Sequence, residues 1–142
     1  RLARRQRQMC IRDSLYSDGT ETPANVVRLA AEAGVGLFAL TDHDTLLGVP
    51  EAVDAGRAHG VRVLPSVEMD TESPFELHIL GLDVDIDNAA LTSALLLAKN
   101  RRSERNSRIL KILESSGFNI YPYFKESIGS TTRFNIACAR VR

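Results

Sequence analysis

The chain has 142 residues, 44% hydrophobic and 25% charged, with 18 basic and 18 acidic side chains in formal balance. That length accommodates one domain with a core of its own, and the composition excludes a disordered or low-complexity chain. No apolar run approaches a membrane span, no secretory pattern opens the sequence, and Cys10 and Cys138 fit no metal or disulfide spacing, so a reduced, cytoplasmic setting is expected.

Arg1, Arg4, Arg5, Arg7 and Arg12 crowd the start against Asp13 alone, which leaves the remainder net acidic. Arg4 to Asp13 resembles a forward translation of a transposon adapter used to prepare sequencing libraries. Residues 1–13 are therefore expected to stand outside the native fold, which would begin near Ser14. A turn-rich loop follows from Tyr16 to Thr20. Thr22-Pro23 then supplies an N-cap with proline in the first turn, and Val26, Val27, Leu29, Ala30 and Ala33 mark a helix from Pro23 to about Ala33, closed by Gly34.

Leu37 to Leu40 reads as a strand buried on both faces, and it ends abruptly in Thr41-Asp42-His43-Asp44. In α/β folds such a C-terminal strand edge is where ligands and catalytic groups collect. Two readings of this stretch stand on its own residues. Either Asp42 or Asp44 caps the next helix and His43 is a satisfied polar group, or the three belong to a site. A helix from Pro50 to His59, closed by Gly60, leads to a strand from Val61 to Val67 that again ends in acids, Glu68 and Asp70. Phe75 to Val84, around His78, reads as a further strand. From Asn88 to Ser116 the leucine and isoleucine pattern predicts one long helix or two stacked ones. Within it Arg101, Arg102, Glu104 and Arg105 read as a solvated face. A short helix is expected over 121–128, a turn over 129–132 and another helix over 135–141.

Asp18, His43, Glu68 and His78 thus fall at strand ends or in adjoining loops. Asp18 and His43 are 25 residues apart, as are His43 and Glu68, and each interval is about one strand–helix step. Taken singly, Asp18 could be a turn residue, Glu68 an exposed strand end and His78 a cross-strand polar group. Together, carboxylates and imidazoles are a donor mixture for zinc, manganese or iron, whereas calcium takes oxygen alone.

Ser17-Asp18-Gly19-Thr20, Thr41-Asp42-His43-Asp44-Thr45 with Gly48, Val67-Glu68 and His78-Ile79-Leu80-Gly81 resemble successive motifs of the PHP (polymerase and histidinol phosphatase) family, over about Ser14 to Gly117. Thr-Asp-His-Asp-Thr followed by glycine is similar to the stand-alone phosphoesterase branch, which holds nucleoside 3′,5′-bisphosphate phosphatases and 5′-3′ exoribonucleases. The polymerase branch usually reads Thr-Asp-His-Gly there. The resemblance implies an α/β fold, part of a distorted (β/α)₇ barrel over 14–87, with a helical insertion and the start of a following region over 88–142. It implies up to three divalent ions (Mn²⁺, Zn²⁺ or Fe²⁺) that activate water and stabilise charge developing on phosphorus. Asp18 and His43 would serve one ion, Glu68 would bridge two others, and His78 would complete one of those. Asp42 and Asp44 would support the ligands from behind, and Arg133 would hold a substrate phosphate. The implied substrate is a nucleotide or short oligonucleotide, with no membrane partner and no specific binding of double-stranded DNA.

The sequence also departs from the family pattern. Ile11 and Asp13 stand where the opening His-x-His falls, and Phe134-Asn135 replaces Pro-His after Arg133. The later His-Pro and Asp-x-His motifs do not occur, so little phosphatase activity is expected of this stretch alone. A non-catalytic module that binds metal or a partner, and the PHP domain of a DNA polymerase, are the alternative readings.

Overall fold

Two strand–helix steps open the fold. The structure, a computed structural model, describes residues 9–71 and 77–118, with side chains from Arg12 onward. β1 (Met9–Arg12) leads to α1 (Pro23–Glu32), β2 (Leu37–Leu40) to α2 (Val49–His59), and β3 (Arg62–Asp70) turns back into β4 (His78–Leu82) before the long α3 (Ala89–Ser115). Met9–Arg12 belongs to the adapter-like stretch, yet it pairs in parallel with β2, Met9 opposite Leu37. Main-chain pairing uses groups that every non-proline residue carries, so strand position does not depend on those side chains.

α1 starts where its sequence places it. The Asn25 N–H donates to Thr22 Oγ1 at 3.1 Å, and Pro23 sits where a missing N–H costs nothing. Its buried face is Pro23, Val26, Val27 and Ala30. Leu29 (45% exposed) points outward because a step of about 100° per residue carries it off that stripe, and Ala33 is exposed as the C-cap beyond the last helical turn. α2 begins at Gly48 with no side-chain cap, so neither Asp42 nor Asp44 serves as one, and it ends at Gly60 with φ 69°. α1 and α2 pack on each other, and Val27, Phe38, Leu40 and Ala52 are fully shielded between helices and sheet. Burial of each large side chain there contributes about 1.5–3 kcal/mol.

The strands lie in the order β1-β2-β3-β4. β1, β2 and β3 are parallel, which gathers the C-terminal ends of all three along one edge. β4 is antiparallel to β3, with Asp70 opposite His78 and Glu68 opposite Leu80. Residues 71–77 are too few for a crossover, since a parallel return needs about a dozen or more. The strand expected over 75–84 is therefore shorter, and its first residue, Phe75, lies outside the described residues. The antiparallel pairing puts the beginning of β4, and so His78, at the edge where the other strands end.

α3 is one unbroken helix, capped where Asn88 Oδ1 accepts the Leu91 N–H at 3.0 Å, and Gly117 follows with φ 87°. It buries Leu95, Arg102, Asn106 and Leu110, while Leu96 and Ile112 are exposed. The elements expected beyond residue 118, and Arg133 with them, lie outside the described residues. Among the described residues no helix is long and apolar enough to cross a membrane.

Candidate metal centre

The edge is assembled from the loop after β1, the end of β2, the end of β3 and the start of β4. Asp42, 1% exposed, anchors the first of these: the Ser14 N–H donates to its Oδ1 at 2.6 Å, Ser14 Oγ to Oδ2 at 2.8 Å and Ser17 Oγ to Oδ1 at 2.8 Å. Burial pushes the Asp42 carboxyl above its usual range, and the serine hydrogen bonds pull the other way. The loop closes tightly, for a Cβ on Gly19 would sit 2.4 Å from the Asp13 carbonyl oxygen. Only glycine fits there, and that turn sets the position of Asp18.

Pairing between β2 and β3 runs past Leu40. The Glu68 N–H donates to Asp42 O at 3.2 Å, and the Asp44 N–H donates to Glu68 O at 2.8 Å, which places His43 beside Glu68. The four residues singled out in the sequence meet at this point. His43 Nε2 lies 3.8 Å from Asp18 Oδ2 and 4.0 Å from Glu68 Oε2, and His78 Nδ1 bonds Glu68 Oε1. The two imidazoles stand edge to face, their centres 5.2 Å apart. A fifth residue joins them that the sequence reading passed over. Asp70 Oδ1 lies 3.4 Å from both His43 Nδ1 and His78 Nε2. Each imidazole is thus flanked by Glu68 at one nitrogen and Asp70 at the other. Strand alternation was the available signal, because Glu68 and Asp70 are two apart and share a face.

Asp44 and α3 form the outer wall. Arg102 was expected in a solvated charge run, but it is 5% exposed. Its Nε donates to Asp44 Oδ2 at 3.0 Å, its Nη2 also bonds that oxygen, and Nη2 reaches Asp70 Oδ2 at 2.9 Å. Arg105, one turn on, has Nη1 3.8 Å from the same Asp70 oxygen. The helix turns this side of the run inward because two carboxylates at the strand edge await it. Arg101 and Glu104, on other faces, are exposed. Asp44 itself has φ 52°, in the left-handed region, and its Oδ1 accepts the Asp70 N–H at 3.3 Å.

The electrostatics divide the site in two. On the α3 side, the bond to His43 and the Arg102 charge hold the Asp70 carboxyl well below its usual range despite burial. On the other side, burial and the neighbouring Asp18, Glu68 and Asp42 raise Asp13 to about 7. Burial opposes charge on His43, but Asp70, Glu68 and Asp18 outweigh it, and its pKa is raised. Because folded Asp13 binds its proton more tightly than the unfolded chain, stability falls as pH rises from about 4 to about 7. Asp13→Asn is expected to raise the melting temperature at pH 8 in chelator and to leave it unchanged at pH 4, which thermal unfolding at both pH values checks.

This donor set fits a divalent cation. Three or more carboxylates crowd one side of His43, and a cation there would relieve the repulsion that raises Asp13. His43 Nδ1 and Asp70 Oδ1 are buried and face each other at 3.4 Å, and His43, Asp70 and His78 each bring one donor atom within 4.8 Å of the others. The mixture of carboxylate oxygen and imidazole nitrogen suits a transition ion.

The family model described as "PHP domain" matches residues 13–130. The chain is 37% identical over 103 residues to the 5′-3′ exoribonuclease Rnm of Salmonella typhimurium, covering 70% of this chain and 35% of that protein. It is 36% identical over 105 residues to the 3′,5′-nucleoside bisphosphate phosphatase of Chromobacterium violaceum, covering 73% and 37%. A crystal structure from Bifidobacterium adolescentis, assigned as a metal-dependent phosphoesterase, superposes with a TM-score of 0.71 at 29% identity, over 75% of this chain and 38% of that one. The chain spans about a third of the length of these relatives.

Proposed function

This chain belongs to the PHP domain family, and from that premise we propose that its site serves the metal-dependent hydrolysis of phosphate esters in nucleotides or short RNA ends. The observation that carries the reading is the convergence of Asp18, His43, Glu68 and His78, from three separate segments, on one strand edge. In this reading those four residues hold divalent ions, with Glu68 facing both histidines. Asp70 orients the imidazoles from their opposite nitrogens, as carboxylates commonly do for histidine ligands. Asp42 and Asp44 hold the surrounding loops, and Arg133 is assigned to a substrate phosphate. Bound Mn²⁺, Zn²⁺ or Fe²⁺, up to three ions, supplies water activation and charge stabilisation at phosphorus.

The relatives named above as exoribonuclease and bisphosphate phosphatase support a nucleotide substrate. Nucleotides and short single-stranded ends, rather than specific duplex DNA, and a cytoplasmic setting belong to the same proposal. So does the placement of β2, β3 and β4 in a distorted (β/α)₇ barrel over 14–87, with α3 as a helical insertion from residue 88.

Calorimetric titration with Mn²⁺ tests the centre. Binding is expected to the intact chain, and Glu68→Gln is expected to weaken it by more than about tenfold. Absence of binding overturns the reading. The chemistry is tested by manganese-dependent release of phosphate from a nucleoside 3′,5′-bisphosphate. Metal binding with no such release in any longer form of the protein selects a non-catalytic module.

A further inference from the structure

We infer that Arg102 of α3 is a positioning residue for the metal centre, acting on His43 and His78 through Asp70; the inference rests on the metal reading above. Asp70 stands at the end of β3, and its carboxylate meets both imidazoles through one oxygen, Oδ1, at 3.4 Å. The other oxygen, Oδ2, is held by Arg102 Nη2 at 2.9 Å. A carboxylate gripped at one oxygen has its torsion set, so the second oxygen is presented to the rings in one orientation.

The guanidinium is in turn fixed. Its Nε–Nη2 edge lies on Asp44 Oδ2, and Asp44 Oδ1 takes the main-chain N–H of Asp70. Asp44 directly follows His43, so Arg102, Asp44, Asp70 and His43 form a closed circuit across β2, β3 and α3. A planar guanidinium satisfies two acceptors at fixed angles, whereas an ammonium is a point charge without that geometry. The circuit also explains why a charged side chain is spent on the buried face of α3, between Leu95 and Leu110. Orientation of the histidines therefore depends on the docking of α3, and ion binding and α3 docking reinforce each other.

Three variants of the full chain test this, Arg102→Lys, Asp70→Asn and the two combined. Folding is followed by circular dichroism, Mn²⁺ affinity by calorimetry and site geometry by the visible absorption of bound Co²⁺. Arg102→Lys is expected to stay folded, to bind Mn²⁺ about 10- to 100-fold more weakly and to alter the Co²⁺ spectrum. The double variant is expected to bind no more weakly than Asp70→Asn alone, because one residue acts through the other. Unchanged affinity and spectrum in Arg102→Lys, or losses that add, overturn the assignment. Should Arg102→Lys not fold, Asp44→Asn with Arg102→Gln, which removes both buried charges, carries the same expectations and the same contrary outcomes. Failure of the unaltered chain to bind Mn²⁺ overturns the metal reading and this inference with it, whereas wild-type affinity in the variants overturns this inference alone.

Discussion

Arg102→Met is expected to destabilise the metal-free chain by about 3–5 kcal/mol in urea unfolding, the usual cost of removing one partner from a buried ion pair. The Asp44 side chain is 1% exposed and that of Arg102 5%. Without Arg102, the Asp44 carboxylate remains buried, with the Asp70 N–H at 3.3 Å as its remaining bond among those described above. Asp70, at 22% exposure, would recover water more easily, so most of the cost belongs to Asp44. The expected loss is a large share of the 5–15 kcal/mol that holds an ordinary domain together. Adding Asp44→Asn is expected to restore much of it, because the orphaned charge is gone. A double variant as unstable as Arg102→Met would show that packing of the arginine stem, not charge, is what matters.

Asp42→Ala is expected to cost about 3–4 kcal/mol and to loosen the Asp18 side of the metal centre. The carboxylate receives one main-chain N–H and two hydroxyls, and Ser14, Ser17 and Asp42 are all buried. Loss of the acceptor leaves the Ser14 N–H unsatisfied, at about 1–3 kcal/mol, and the hydroxyls must find partners by rotation. Part of this is offset, because burial already disfavours the Asp42 charge. Asp42→Asn keeps an acceptor in place and is expected to lose about half as much. Denaturant unfolding gives the stability, and Mn²⁺ titration shows whether displacement of the 14–19 loop carries Asp18 away. If stability falls while metal affinity is unchanged, the loop does not position Asp18.

Local chemistry made much of the fold legible. Thr22-Pro23, Asn88, Gly60 and Gly117 mark their helix ends because capping and left-handed φ depend on single residue types near one another in the chain. The run Leu37 to Leu40 identified its strand because a short apolar run without interruption, set between Gly36 and the polar Thr41-Asp42, suits a strand covered on both faces. Asp18, His43, Glu68 and His78 could be picked out because each sits in a recognisable motif near a strand end or in an adjoining loop. Arg102 could not, since one helix face is distinguished from another only by what lies across from it. Alternation with Glu68 put Asp70 on the same face, but two of its neighbours in space, His78 and Arg102, come from segments whose direction and docking the sequence does not state.

By itself, then, the sequence located α1, α2 and β2, placed β3 while ending it at Val67, three residues before Asp70, showed which family the motifs resemble, and singled out the four side chains proposed here to hold metal. Tertiary structure alone decided the antiparallel β3–β4 pairing that brings His78 to the edge, the strand role of Met9–Arg12, and the buried Asp44–Arg102–Asp70 circuit behind the histidines. The physical reason is range. Caps, periodicity and motifs act within a few residues, whereas a carboxylate and a guanidinium 58 residues apart are matched only by the packing that excludes water from both.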